Sequence, residues 1–368
     1  MWSEFVRESF CFEPREKGSS VQKPSSLGSH TKMFFEASEA PKCVERQIAE
    51  NLAISKDIGE VIASDRINSI MTCARGSSSH ATVYGKYLLE ALTGKPVGAF
   101  SPSVASVFGG GLDLQGTLFL SVSQSGRSED LLRSVEMAKR GGAFTVSLTN
   151  APNSPLAEIS DVDIPLHAGP ENSVAATKSF ICSLSALASL AFEAGKDEIG
   201  ARSLQGLPDE LSDAWNGDWE FALPRLIKAK SLFVTSRGCG FGVAKEAALK
   251  LKETSGFHAE AISAAELRHG PMAVVSEGFP VLSFVPNDAS GESVTELTSY
   301  CARNGAACIA VGDPVPGALN LSCPTSSDAR LTPILQIQRF YRFANALAIA
   351  RGKNPDEPPL LKKVTVTV

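Results

Sequence analysis

Three landmarks recur along this chain at one spacing, and that repeat limits its fold more than any other feature. Arg75-Gly76, which follows an apolar run, returns as Arg237-Gly238, an offset of 162 residues. Gly116-Thr-Leu-Phe-Leu-Ser-Val122 returns as Gly278-Phe-Pro-Val-Leu-Ser-Phe284 at the same offset, and Gly142-Ala143 as Gly305-Ala306 at 163. A chain of 368 residues exceeds the usual limit for a single core, so two copies of one unit are expected. Within the first copy, apolar runs at 67–73, 116–122 and 143–148 alternate with helical spacing over about 80–93, 128–140 and 174–194. Such alternation predicts an α/β fold, a parallel sheet flanked by helices on both faces. We place the first unit at 36–205, the second at 206–350 and a tail at 351–368. Helical spacing over 40–64 (Val44, Ile48, Leu52, Ile58, Val61) opens the first unit. Residues 1–35 read as a disordered extension, because 1–32 are rich in Ser, Lys, Gly and Pro.

The hydroxyls lie where such a fold places ligands. The run Thr117–Val122 opens into Ser123, Gln124, Ser125, Gly126 and Ser128, then into a helical pattern carried by Leu131, Leu132 and Val135. The first N–H groups of a helix lack intrahelical partners, and its dipole favours an anion there. A phosphate held by neutral donors is the functional reading; an N-cap cluster that merely starts the helix is the plain one. Ala74-Arg-Gly-Ser-Ser-Ser-His80 also follows a strand, so its hydroxyls can converge on the same anion. In the second copy the equivalent turn is Val285-Pro286-Asn287-Asp288. Proline removes a donor and aspartate repels an anion, so only the first copy should hold phosphate.

The second copy carries different chemistry. Phe241–Gly256 reads as a helix ending in glycine, with Glu246, Lys250 and Glu253 at spacings of four and three. These form either a surface Glu–Lys–Glu ladder or a proton-transfer set. His258 and Glu266-Leu-Arg-His269-Gly-Pro271 come soon after, in a chain with five histidines. A carboxylate and a histidine that titrates near neutrality are what sugar ring opening and enolisation need. His80 and His258 read as hydrogen-bonded structural histidines. The net charge of −5 argues against nucleic acid or an anionic membrane as partner. No apolar run approaches the roughly 20 residues that span a bilayer, and the start lacks a secretory pattern. Eight scattered cysteines without a C-x-x-C pair fit reduced thiols in a cytoplasmic protein rather than a zinc site.

Together these segments resemble the double sugar-isomerase (SIS) family, the isomerase part of glucosamine-6-phosphate synthases. The resemblance runs from about residue 40 to the C-terminus. It rests on Arg75-Gly-Ser-Ser78, Ser123-Gln-Ser-Gly-Arg-Ser128, Gly169-Pro-Glu-Asn-Ser-Val-Ala-Ala-Thr-Lys178, Ala247-Ala-Leu-Lys-Leu-Lys-Glu253, Glu266–Pro271 and Leu361-Lys-Lys-Val-Thr-Val366. It implies two tandem flavodoxin-like or Rossmann-like domains. It implies phosphate binding by Ser77, Ser78, Ser123, Gln124, Ser125 and Ser128, with Val174 and Thr177 lining the sugar. Glu253 falls on the family's general base, Lys250 on its neighbour, and His269 on a ring-opening histidine given across a homodimer. Lys362, with Lys363 beside it, falls on the tail lysine able to form a Schiff base. Thr254-Ser-Gly256 and Ala264-Ala-Glu-Leu-Arg-His depart from the synthase pattern.

Only about 35 residues precede the similar region, and residue 2 is Trp2 rather than the cysteine of the family's glutaminase domain. The resemblance therefore leans to stand-alone SIS deaminases: D-glucosamine 6-phosphate and water giving D-fructose 6-phosphate and ammonia, with no metal or organic cofactor. Alternatives are an isomerase or deglycase of another amino-sugar or fructosamine 6-phosphate, and synthesis from free ammonia. A phosphosugar sensor is a further one, disfavoured by the joint presence of Lys250, Glu253 and His269.

Overall fold

The computed structural model describes residues 27–363. Residues 1–26 of the expected extension, and the 364–366 end of the tail motif, lie outside these. Two five-stranded sheets organise the chain. The first comprises β1 (Ser69–Ala74), β2 (Val97–Ala99), β3 (Thr117–Ser123), β4 (Phe144–Thr149) and β5 (Val162–Pro165). The second comprises β6 (Ser231–Ser236), β7 (His258–Ser263), β8 (Pro280–Phe284), β9 (Ala307–Val311) and β10 (Leu319–Leu321). Every pairing is parallel. The spatial orders are β2-β1-β3-β4-β5 and β10-β9-β8-β6-β7. Read from the other edge, the second order is the first with each strand replaced by its counterpart. The sequence repeat is therefore a repeat of topology, in the flavodoxin-like order.

β3 is buried along its whole length, which explains an uninterrupted Thr-Leu-Phe-Leu-Ser-Val-Ser run where a half-exposed strand would alternate. Each sheet turns one face to a small core of its own. Phe100, Phe119, Leu131 and Val135 fill the first, and Phe233, Val281, Val294 and Leu297 the second. The other faces share one large core containing Tyr84, Phe180, Trp219, Leu251, Phe340 and Tyr341. The helices Gly76–Thr93 and Gly240–Ser255 meet inside that shared core. A Cβ at Gly242 would lie 2.7 Å from the His80 carbonyl oxygen, so only glycine lets the two backbones approach this closely.

The two ends of the described stretch, 27–38 and 351–363, meet beside the first unit. Part of the extension read as disordered is ordered: Lys32–Ser38 is a helix whose N-cap, Thr31, accepts from the Phe34 N–H. The Asp356 carboxylate accepts from the N–H groups of Lys32 and Met33 at 2.9 and 2.8 Å. Its carbonyl accepts from the Val174 N–H. The tail thus ties the first helix to the loop before Lys178–Ala194. Among the described residues no helix is long and apolar enough to cross a membrane. Seven cysteines there are free thiols, and five of them are buried.

Candidate active site

A cavity of about 330 Å³ lies at the carboxyl ends of β1 and β3, where parallel sheets of this kind place ligands. Ser77, Ser78, Ser123, Gln124, Ser125 and Ser128 all line it, with Val174, Ala176 and Ser179. The N-cap alternative can be read directly at Ser128. It occupies the N-cap of Glu129–Arg140, yet its side chain makes no capping hydrogen bond. Its hydroxyl is therefore available to the cavity. Ser123 accepts from the Gly126 N–H at 3.1 Å, which shapes the turn and leaves its own proton to donate. Gly126 has φ of +60°, and a Cβ there would sit 2.1 Å from the Ser154 hydroxyl, so the turn requires glycine. Arg75 donates through Nε to the buried Asp130 carboxylate at 2.7 Å. That bond clamps the turn after β1 to the helix after β3 and holds the two sets of hydroxyls together.

Two implied positions need correction. Thr177 is fully buried, and its N–H donates to Glu171 at 2.8 Å; Ala176 and Ser179 face the cavity instead. Lys362 is exposed, whereas Lys363 lines the cavity and donates to the Ser173 carbonyl at 2.7 Å. The tail register is thus one residue on from that implied by the resemblance, because Glu171, buried beneath the tail, draws in the ammonium that can reach it at 3.3 Å. Burial opposes ionisation of Glu171, but Lys363, Ser179 and Thr177 outweigh it and hold the carboxyl below its ordinary range. Glu36 shows the opposite balance. It accepts from Asn172 and Ser173 N–H groups, yet burial dominates and pushes it up.

The helix Gly240–Ser255 supplies the second half of the site. The surface-ladder alternative fails here: Glu246 and Lys250 are both fully buried. Lys250 Nζ lies 3.3 Å from Glu246 and 2.5 Å from Glu253, whose side chain stays about one-fifth exposed. Glu246 Oε1 accepts from Ser77 at 3.0 Å, and its Oε2 faces His80 Nδ1 at 3.0 Å. Burial works against charge on both partners. Lys250, His80 and Ser77 nevertheless keep Glu246 below the ordinary carboxylate range, and Glu246 with Glu253 hold Lys250 above the ordinary ammonium range. A continuous polar chain therefore runs from a cavity-lining hydroxyl, Ser77, through Glu246 and Lys250 to Glu253.

The histidines divide. His80 makes its bond to Glu246, but the reading of His258 as a hydrogen-bonded structural residue is corrected: it is exposed on β7, at the sheet edge, which leaves its ring to water. His269 is exposed just beyond Ala264–Leu267 and does not line the cavity. Sequence reasoning missed Glu171, Asp130 and the links of His80 and Ser77 to Glu246. Asp130, two residues after Ser128 at the start of the helix that follows the hydroxyl turn, carried a usable signal; the links to Glu246 join residues 166 or more apart. At the second unit's turn, Asp288 accepts from the N–H and hydroxyl of Ser290 at 2.7 and 2.5 Å. A cavity of about 730 Å³ there is lined by Asp288, Glu292, Glu296 and Asp313 beside Arg268 and Arg303, a surplus of carboxylates that disfavours an anion.

Comparison with known proteins places these features in context. The SIS domain family matches residues 65–192 and 225–323. The glutamine–fructose-6-phosphate aminotransferase (isomerizing) of Thermococcus kodakarensis is 32% identical over 391 residues, covering 98% of this chain and 64% of that protein. The chain spans about half to two-thirds of the length of the curated relatives it matches. A protein of Silicibacter pomeroyi DSS-3, provisionally named a phosphosugar isomerase, is 40% identical with a TM-score of 0.85, covering 89% of this chain and all of that one. The C-terminal domain of the glucosamine-fructose-6-phosphate aminotransferase of Francisella tularensis is 26% identical with a TM-score of 0.81, covering 89% of this chain and 98% of that one.

Proposed function

Since the chain belongs to the SIS domain family, we propose that it acts on amino-sugar 6-phosphates, converting D-glucosamine 6-phosphate and water to D-fructose 6-phosphate and ammonia. One observation carries this reading: the polar chain that joins the hydroxyl cavity of the first unit to the Lys250–Glu253 pair of the second. The names of the relatives, aminotransferase and phosphosugar isomerase, agree with its chemistry.

The hydroxyls and helix N-termini around Ser77, Ser78, Ser123, Ser125 and Ser128 hold the 6-phosphate and so fix the carbon chain. Glu253, paired with Lys250 and partly open, takes the C2 proton of the open-chain aldose and returns it to C1. The product is a C1 alcohol with a C2 imine, which water hydrolyses to the ketose and ammonia. Lys250 remains an ammonium, so it serves as a fixed positive charge beside the base and not as a base itself. Lys363, at the cavity wall, is the tail lysine placed to meet the substrate. His269, exposed at the end of its turn, is proposed to serve the site of a second copy in a homodimer.

The decisive assay measures ammonia and fructose 6-phosphate from D-glucosamine 6-phosphate, its C4 epimer and a fructosamine 6-phosphate. Turnover of the first by the unaltered chain supports the reading, and its absence refutes it. Mixing Glu253→Gln with His269→Ala chains should recover activity if sites are shared; no recovery removes the dimer proposal.

A further inference from the structure

We propose that Ser77 and His80 are positioning residues which, through Glu246, make the basicity of Glu253 depend on phosphate in the cavity; this rests on the proposed action on amino-sugar 6-phosphates. Glu246 is a completely buried carboxylate with both oxygens engaged. His80 Nδ1 lies 3.0 Å from Oε2. Oε1 accepts from the Ser77 hydroxyl at 3.0 Å, and the same oxygen lies 3.3 Å from Lys250 Nζ and 3.5 Å from the Tyr341 hydroxyl. Lys250 stands closer to Glu253, at 2.5 Å. The ammonium is thus shared between two carboxylates, and Ser77 helps decide how.

A serine hydroxyl has one proton to give. In the structure it goes to Glu246, although Ser77 also lines the phosphate cavity. A dianion in the cavity competes for that proton and, as the stronger acceptor, takes it. Oε1 of Glu246 then loses its shorter neutral donor, keeping only the Tyr341 hydroxyl at 3.5 Å beside Lys250, and a buried carboxylate that gives up a donor is costly. Lys250 answers that loss by shifting towards Glu246, which loosens its hold on Glu253. A carboxylate less masked by an ammonium is a stronger base. His80 keeps Oε2 fixed, which confines the exchange to the oxygen that Ser77 and Lys250 share. Glu253 is thereby released when the 6-phosphate has anchored the sugar beside it.

Two measurements test this. In a structure of the unaltered chain soaked in inorganic phosphate, Ser77 Oγ should bond phosphate and no longer Glu246, with Lys250 nearer Glu246 than Glu253. A bound phosphate with Ser77 still on Glu246, or an unchanged Lys250–Glu253 pair, overturns the coupling. Ser77→Ala deprives Glu246 of the same donor permanently. It should raise turnover of unphosphorylated D-glucosamine several-fold, as expected of a general base less masked by an ammonium, while lowering that of the 6-phosphate. A variant that fails to raise the D-glucosamine rate also overturns it. His80→Gln, which keeps a donor, should preserve the phosphate dependence that His80→Leu loses. Should the unaltered chain turn over no amino-sugar 6-phosphate, the functional reading fails, while the phosphate-soaked geometry still decides the coupling.

Discussion

The two units share one strand order and differ in the turn that leaves the third strand of each. From the last residue of β3 runs Ser123-Gln-Ser-Gly126, whose glycine at φ +60° brings the hydroxyls around a cavity. After β8 comes Val285-Pro-Asn-Asp288, whose carboxylate accepts from Ser290. The second turn carries its own anion at the position, 162 residues on, that Gly126 occupies in the first. The contrast reverses at the helix after each unit's first strand. Gly76–Thr93 brings Ser77 and His80, whereas Gly240–Ser255 brings Glu246, Lys250 and Glu253. On the proposed function the duplicated scaffold divides labour: one copy carries the hydroxyl cavity proposed to anchor phosphate, and the other the Glu246–Lys250–Glu253 charges proposed to move a proton. The two shares are joined at Glu246, which faces Ser77 and His80 of Gly76–Thr93 and pairs with Lys250 on its own helix.

The largest expected effect tests the second unit's share. Glu253→Gln should lower turnover of D-glucosamine 6-phosphate about 10²–10⁴-fold with little change in KM, the usual contribution of a general base. Ammonia release above a tenth of the normal rate would remove Glu253 from that role. Next comes an exchange between the turns. Gly126→Asp puts a carboxylate and a Cβ where the first turn accepts neither, and should abolish heat from titration with inorganic phosphate. Asp288→Gly in the second unit should leave that titration unchanged; equal effects would erase the distinction between the copies.

The tail gives a smaller effect. Lys363→Met should raise KM roughly tenfold through loss of a charged contact, and Lys362→Met less than twofold. The reverse order would restore the register implied by the sequence. Lys363→Met should also alter acid sensitivity. Glu171 is held below its ordinary pKa when folded, so it stabilises the chain above the unfolded value, and this is lost as pH falls through the folded one. Without Lys363 that difference narrows, so melting temperatures of variant and unaltered chain should converge as pH falls below the ordinary glutamate range. The smallest effect separates a ligand-facing serine from a capping one. Ser128→Ala should change stability by less than about 0.5 kcal/mol, since it forms no cap. Ser263→Ala, which removes a cap on Glu266, should cost about 1 kcal/mol in denaturant melts.

Much of this was legible in the order of residues. Strands at 69–74, 117–123 and 144–149 fall within one or two residues of the expected runs, because buried parallel strands are continuous apolar segments bounded by glycine. The hydroxyl turn was legible because its members are neighbours. The depth of Glu246 and Lys250 was not: their spacing fits a surface ladder equally well, and it is the helices Gly76–Thr93 and Thr332–Ala350 packed against theirs that make them a core pair. The choice between Lys362 and Lys363 stayed open for a related reason. A tail has no periodicity to fix which of two adjacent lysines turns inward; Glu171 fixes it, from 192 residues away.

What the sequence determined by itself was local and periodic: strand and helix type, the repeat, the glycines at forced backbone angles and the donors gathered in one turn. Those arise from dihedral preference and the burial of apolar faces, which act over a few residues. The tertiary structure alone decided which charges met. Burial strengthens the interaction of Ser77, His80, Glu246, Lys250 and Glu253 by removing water from around them, and that environment exists only once both sheets have closed on a shared core.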